Sequence, residues 1–396
     1  MSEDNKFRHP TRRETLMTWA GAAAFAASGK LAAQTAEGQP LIGDPSLPEI
    51  PTNRLGWAIV GLGTFAIGQV IPGFATARHS RITAFVSGNP EKARTLGSRY
   101  NVDRLYSYDN FDTIANDPAI DCVYIVLPVG LHAEYTIRAL KAGKHVLCEK
   151  PMASTSQEAE AMIAAAKAAQ RKLGVAYRVN FEPNNEHILD RVRSGVLGKM
   201  RYISADHGFS ANRDFPPHAW RLEKALAGGG SLWDIGIYGI NTSLMMLPSD
   251  RVISISAAYA TPKGDPRFTE VEGAIDYRLR MASGINIQGS SSYCYSPYVS
   301  RQRYFGSDAS IEMQPATTYY DNEITLEGGG QPPRTYSVGN ASQQFAAQVD
   351  GFSRAARGEV ELRTPGEMGL RDLLIMEACY ASADLGGSVV ETDIAV

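Results

Sequence analysis

The sequence predicts an α/β chain: an N-terminal doubly wound domain on a parallel sheet, then an α+β domain on an open, mostly antiparallel sheet. Three observations carry this. Between residue 57 and about 178, short continuous apolar runs alternate with helix-length segments, as strands covered on both faces by crossover helices do. A glycine turn follows the first run directly. From residue 200 the pattern becomes polar–apolar alternation with few helix-length gaps, at 200–209, 252–260, 271–280 and 284–292, the signature of strands with one covered face.

The 396 residues suit two domains, and 44% hydrophobic with 20% charged residues is the composition of a globular protein. A net charge of -3 gives no electrostatic case for nucleic acid or an anionic membrane as partner. Cys122, Cys148, Cys294 and Cys379 are scattered without metal-ligand spacing and form no disulfide framework; no metal site is expected. The chain opens with Arg12-Arg13 in a twin-arginine setting, an apolar stretch from Leu16 to Ala27 too short to span a bilayer, and small residues at Ala32 and Ala33. Residues 1–33 are therefore expected to be a twin-arginine signal peptide that delivers the folded protein to the periplasm. Pro40, Pro45, Pro48 and Pro51 mark 34–54 as an extended arm, either a linker or a strap on another surface. Residues 55–178 form the expected dinucleotide-binding domain and 179–396 a substrate and oligomerisation domain.

Trp57–Val60 reads as a buried parallel strand running into Gly61, Gly63 and Ala66. The first glycine permits a tight turn, the second lets backbone amides approach a pyrophosphate, and the alanine lets the next helix pack closely. Gly61, Leu62, Gly63, Thr64 and Phe65 are the candidate phosphate cradle of a Rossmann-type domain. The next strand, Arg81–Val86, ends in Ser87-Gly88-Asn89, with Lys92 following. A hydroxyl and an ammonium, without the carboxylate that reads a free ribose 2′-hydroxyl, suit a 2′-phosphate; NADP is expected over NAD, with Ser87, Gly88 and Lys92 around it. Cys122–Leu127 is a further strand, and Leu127, Pro128 and His132 follow at the crevice edge, His132 either a structural hydrogen-bonder or a cofactor contact. His145–Cys148 ends in Glu149-Lys150-Pro151, which aims Lys150 into the crevice where ligands of such folds bind.

In the second domain, Ala227–Ser231 leads into a helix with Ser231 as its expected N-cap. Asp234, Tyr238 and Asn241 stand at i, i+4 and i+7, and no Lys or Glu lies between Ser231 and Pro248. That stripe reads as an active-site face, since a solvent face would carry charge.

The glycine turn, Glu149-Lys150-Pro151 and Asp234-x-x-x-Tyr238 together resemble the glucose-fructose oxidoreductase, inositol dehydrogenase and rhizopine catabolism superfamily. The likeness is nearest to its periplasmic glucose-fructose oxidoreductase branch, and continues through 86–89, 131–134, 220–222, 315–320, the leader and the arm. The resemblance implies tightly bound NADP, oxidation of an aldose at C1 to a lactone, and return of the hydride to a second sugar, ketose or aldose, giving a polyol. It implies Lys150 orienting the sugar hydroxyl, Tyr238 as acid/base and Asp234 supporting both. Ser87 and Lys92 would hold the 2′-phosphate, while Tyr108, Glu149, Arg178, Trp220, Arg221 and Tyr319 line cofactor or sugar. Many relatives carry His where Tyr238 stands, so the tyrosine favours this branch. A tyrosine of ordinary pKa about 10 needs a nearby cation to act as base, and Lys150 is the expected one. The segment 179–183 and the loop 210–217 diverge from the pattern and are expected to face substrate. The expected partners are small sugars and further copies of the chain, as a dimer or tetramer. A glycosidase using transient hydride transfer, a dehydrogenase with exchangeable cofactor and a non-catalytic sugar sensor are the open alternatives.

Overall fold

The computed structural model describes residues 52–396; the expected leader and most of the arm lie outside the described residues. Six parallel strands make the first sheet: β1 (Leu55–Val60), β2 (Ser80–Val86), β3 (Arg104–Tyr106), β4 (Cys122–Ile125), β5 (His145–Cys148) and β6 (Leu173–Val175). Their order is β3-β2-β1-β4-β5-β6. The chain leaves β1 toward one edge and resumes at β4 toward the other, so a crevice opens between the carboxyl ends of β1 and β4. The doubly wound domain expected from the alternating runs is thus present, with β3 and β6, three residues each, too short to stand out as apolar runs.

One face of this sheet is closed by a helix from far downstream, Gln343–Ala356. Trp57, fully buried, meets Phe352 edge-on at 5.3 Å, and its indole N–H donates to Ser353 Oγ at 3.0 Å. Truncating such a buried aromatic costs about 3–5 kcal/mol, so the C-terminal segment is a structural part of the nucleotide-binding layer.

The second sheet has nine strands: β7 (Met200–Ser210), β8 (Arg251–Tyr259), β9 (Ala274–Met281), β10 (Asn286–Ser292), β11 (Cys294–Gly306), β12 (Ala309–Met313), β13 (Ile324–Gly328), β14 (Gln331–Tyr336) and β15 (Val390–Ala395). In the order β14-β13-β12-β11-β7-β10-β9-β8-β15, every pair is antiparallel except β7 with β10. The four strands expected from alternation are β7 to β10. The rest were hidden for physical reasons: β11 slips register between Cys294 and Val299, and β14 carries two prolines that only an edge strand tolerates. One face packs under the helices Ile237–Met245 and Gly366–Asp384. The opposite face is polar, with Arg301 and Ser290 both bonded to Asp206 at 3.0 and 2.8 Å. Among the described residues no helix is long and apolar enough to cross a membrane, and no cluster of ligating side chains could hold a metal.

Candidate active site

A cavity of about 470 Å³ lies at the crevice, walled on one side by Phe65, Leu127 and Lys150 and on the other by Asp234, Tyr238 and Tyr319. Glu149, Arg178, Trp220, Arg221 and His132 also line it. The remaining expected cofactor residues, Gly61, Leu62, Gly63, Thr64, Ser87, Gly88, Tyr108 and Pro128, belong to the glycine turn and the loops beside it, and Lys92 to the first turn of the helix Pro90–Tyr100.

The two glycines of the turn are needed for different reasons. Gly61 has φ +94°, and a Cβ there would sit 2.3 Å from the Val126 carbonyl oxygen; the protein's own packing demands it. A Cβ on Gly63 would meet nothing within 4 Å. No neighbour in the chain requires that glycine, and the bare backbone it leaves is a cradle that a side chain would fill. A dinucleotide's pyrophosphate fits it. Leu62 is buried while Thr64 is exposed beside Gly63. Lys92 Nζ donates to the Leu62 carbonyl at 3.3 Å, so its charge stands at the turn. Ser87 Oγ accepts from the Asn89 amide at 3.1 Å and keeps its own proton to donate. Tyr108 lies against Gly88, where a Cβ would come within 3.1 Å of its ring. Pro128 leads into the short turn Val129–Leu131.

The other end of the cavity is built on ions. Asp234 accepts from Arg221 Nε at 2.7 Å, from Tyr293 Oη at 3.1 Å and from Lys150 Nζ at 3.4 Å; the ammonium also donates to the Asp234 carbonyl. Burial opposes ionisation of this carboxyl, yet Arg221 and then Lys150 overcome it and hold its pKa at about 2. Lys150 Nζ lies 4.6 Å from the centre of the Tyr238 ring. Burial pushes the Tyr238 hydroxyl up to about 12, and the cation that chiefly counters this is Arg178, whose guanidinium lies 4.8 Å from the same ring. Lys150, the cation expected there, does lie against the ring but is also engaged by Asp234, and Arg178 joins it as the stronger lowering influence. Glu149 accepts from Tyr124 Oη at 2.7 Å, and burial raises its pKa. Phe65 packs on Tyr319 with ring centres 6.0 Å apart, and Arg221 covers Trp220 at 4.7 Å.

Three further expectations change. Ser231 makes no side-chain cap; the carboxylate of Glu272, reaching in from the segment before β9, accepts from the Gly230 and Leu232 amides at 2.9 and 2.8 Å. Asn241 does not share the cavity face. It accepts from Asn180 and donates to Asp372, both at 2.7 Å, inside the core. The cause is a wide π turn, Leu232–Gly236, at the start of the helix; its extra residue per turn throws the i+7 position off the line drawn by an α-helix. His132 has both ring nitrogens 2.8 Å from carbonyl oxygens, those of Pro151 and Leu127, so it braces the Lys150 loop against the crevice edge. Of the two divergent segments, Val179–Glu182 is buried away from the cavity lining, which His218 reaches just beyond the 210–217 loop.

The sequence reading missed His207, on β7. It lines the cavity, packs beside Tyr238 with ring centres 6.3 Å apart, and neither nitrogen has a partner; burial pushes its pKa down to about 4, so the ring is neutral. The alternation of β7 puts it on the covered face, a signal that was available. The helix above it sits flush on the sheet: a Cβ at Gly239 would come within 2.9 Å of Ala205 Cβ and one at Gly236 within 2.8 Å of Ser291 Cβ.

A glycine-turn crevice facing a Lys–Asp–Tyr cluster is the arrangement of a nucleotide-dependent oxidoreductase on a Rossmann fold. The chain belongs to the GFO/IDH/MocA family. The oxidoreductase family with an NAD-binding Rossmann fold matches residues 55–177, and the GFO/IDH/MocA C-terminal domain matches 186–312. The structure is similar to that of an aldose-aldose oxidoreductase from Caulobacter crescentus complexed with glycerol, with 41% identity and TM-score 0.81, covering 86% of this chain and 100% of that one. An uncharacterized oxidoreductase of Rhizobium meliloti is 30% identical over 83% of this chain and 97% of its own length. An NADP-dependent D-xylose 1-dehydrogenase of Haloarcula marismortui is 25% identical over 85% of this chain and 93% of its own.

Proposed function

We propose that this chain is a sugar oxidoreductase that oxidises an aldose at C1 to a lactone and, with NADP tightly held, passes the hydride to a second sugar, ketose or aldose. The observation that carries the reading is the meeting of Lys150, Asp234 and Tyr238 on a cavity that also reaches Phe65 of the glycine turn. The 41% identity to an aldose-aldose oxidoreductase and the likeness to an NADP-dependent xylose dehydrogenase support it.

The backbone from Gly61 to Phe65 would hold the pyrophosphate, and Ser87 and Lys92 the 2′-phosphate, with Tyr108 beside them. Bound there, the nucleotide supplies a hydride acceptor and, once reduced, a hydride donor. The chain's own part is proton handling and orientation. Asp234, ionised at any working pH, fixes the Lys150 ammonium, which donates to the sugar oxygen and resists its drift. Tyr238 Oη receives the C1 hydroxyl proton as the lactone forms and returns it to the oxygen of the acceptor. Its raised pKa makes the return easier than the outward step, so the cations beside it carry the forward direction. One cavity serves both sugars, and the lactone must leave before the acceptor enters: the kinetics are ping-pong.

The reading includes export through the Arg12-Arg13 leader and assembly of copies through the polar face of the nine-stranded sheet. Both are checked directly, by fractionating cells expressing an Arg12→Lys, Arg13→Lys variant and by light scattering of the purified protein. The chemistry is tested by adding an aldose alone and following nicotinamide absorbance, after mass spectrometry of the extracted nucleotide. Bound NADP is reduced once without turnover and reoxidised when a second sugar is added. Lactone formation that depends on added nucleotide, with no second sugar consumed, leaves an ordinary dehydrogenase instead.

A further inference from the structure

Three cations face this cavity, and they are not balanced alike. Lys150 and Arg221 share one carboxylate, Asp234. Arg178, only 4% exposed, forms no ion pair among the described residues, and the one carboxyl that feels its charge, Glu149, lies beyond pairing distance with its own pKa raised by burial. Its acceptors are neutral. NH1 donates to Gln344 Oε1 at 2.6 Å and to the Thr318 carbonyl at 3.4 Å, and NH2 donates to the Thr317 carbonyl at 2.7 Å, while Nε has no partner. The guanidinium is held between two tyrosine rings, 4.8 Å from that of Tyr238 and 4.6 Å from that of Tyr319. Burying a guanidinium without a counter-ion is expensive. A fold that nonetheless fixes it with three hydrogen bonds beside a tyrosine has built a place for negative charge there.

We infer that Arg178 is the positioning residue of the proton-transfer step: its guanidinium is the counter-ion of the Tyr238 phenolate, and Gln344 with the Thr317 and Thr318 carbonyls sets its place. The inference rests on Tyr238 being the acid/base. The cycle balances. The phenolate takes the C1 hydroxyl proton as the C1 hydride leaves, Arg178 then faces a neutral phenol, and the phenolate re-forms when the proton passes to the acceptor's oxygen. The other groups that face Tyr238 do not serve instead. Lys150 is held at the Asp234 carboxylate and carbonyl, Asp234 is an anion, Glu149 is a buried carboxyl whose pKa burial raises, and His207 and Tyr319 are neutral, the former because burial keeps its pKa near 4. The arrangement also ties the second domain's base to the last residue of the first domain and to Gln344, on the helix that returns to cover the first sheet.

The test uses the full chain with its nucleotide bound. The pH dependence of the single reduction by an aldose is measured for wild type, Arg178→Gln and Arg178→Lys, with nucleotide content checked in each. In Arg178→Gln the rate-controlling inflection should move to higher pH by about 1–3 units, the range an adjacent opposite charge exerts. The rate at neutral pH should fall about tenfold per unit with KM little changed, and Arg178→Lys should recover part of both. Installing 3,5-difluorotyrosine, a stronger acid, at position 238 should restore the neutral-pH rate of Arg178→Gln. If Arg178→Gln fails to fold, Gln344→Ala, which keeps the charge and frees the fork, should shift the inflection the same way by less. An unmoved inflection in these variants overturns the inference, and partial loss of nucleotide with an unmoved inflection in the fraction that retains it makes Arg178 a nucleotide contact instead. A wild-type rate in Tyr238→Phe would instead remove the acid/base reading itself.

Discussion

The two ends of the cleft are built by opposite means. The glycine-turn end is local: Gly61, Leu62 and Gly63 lie together, Ser87 bonds Asn89 two residues on, and Lys92 reaches back to the turn over one strand and one helix. Its chemistry is backbone shape, with Gly63, Asn89 and Lys92 exposed above the buried Gly61, Leu62 and Ser87. The charged end draws on Lys150, Arg178, Arg221, Asp234, Tyr293 and Gln344, and each is fixed by a partner from another element. An anion can be cradled by a strand, a turn and a helix start alone, whereas moving a proton at a chosen oxygen needs charges balanced from several directions.

That contrast can be broken first at the chemistry. Tyr238→Phe and Lys150→Met should slow the single reduction of bound nucleotide by about 10²–10⁴-fold, with nucleotide content retained; stopped-flow absorbance reads it, and near wild-type rates in either would remove that residue from the mechanism. At the cradle, Gly61 and Gly63 should part company. Gly63→Val should fold with a nearly unchanged melting temperature of the nucleotide-free protein but copurify with little nucleotide. Gly61→Val, strained at φ +94° and set against Val126, should lose stability itself. Equal loss of stability in both would mean that Gly63 serves packing after all.

Asp234 offers a thermodynamic version of the comparison. Its folded pKa is depressed from 3.8 to about 2, so its charge contributes stability that is full above pH 4 and is lost as pH falls through about 2. At ~1.4 kcal/mol per pKa unit the contribution is about 2–3 kcal/mol. Denaturant titrations from pH 5 downward should show that loss in wild type, and Asp234→Asn, already weaker at neutral pH, should lack this part of the slope. The smallest effect is expected at the far end of the nucleotide. Replacing Ser87 by Asp and Lys92 by Ala should exchange a phosphate-tolerant pocket for one that prefers a 2′-hydroxyl, shifting copurified nucleotide from NADP toward NAD with the fold untouched. Undiminished NADP in that variant would place the phosphate elsewhere.

What the sequence made legible follows the same division. The parallel sheet was readable because Trp57–Val60 and Cys122–Leu127 are continuous apolar runs, with Arg81–Val86 and His145–Cys148 as strand-like segments between helix-length stretches, and Lys150 because a strand end has one outlet. Asp234 and Tyr238 could be picked out as polar residues on a helix without Lys or Glu. Asn241 was misjudged because nothing in Leu232–Gly236 announces a π turn; that widening comes from tertiary seating. Glu272 as the cap of that helix and Arg178 as the cation nearest Tyr238 in effect were hidden for one reason. Both act across pairings such as Glu272 with Gly230 and Arg178 with Gln344 that local pattern cannot contain. His207 was within reach, since β7 alternates, but an unpartnered imidazole can be recognised only once its neighbours are known.

The glycines at 236 and 239 carry a consequence for anyone who would retarget this enzyme. They let the helix bearing Asp234 and Tyr238 rest directly on β7 and β10, with no slack for even a methyl group at either contact. Saturation at Gly236 or Gly239 should return mostly inactive clones, because a new side chain at either lifts the segment bearing Asp234 and Tyr238 before it alters selectivity. Useful diversity lies where other elements carry the cavity wall, at Phe209, His218, Tyr298 and Tyr320. New sugar specificities in this scaffold should therefore arise around a helix that stays the same.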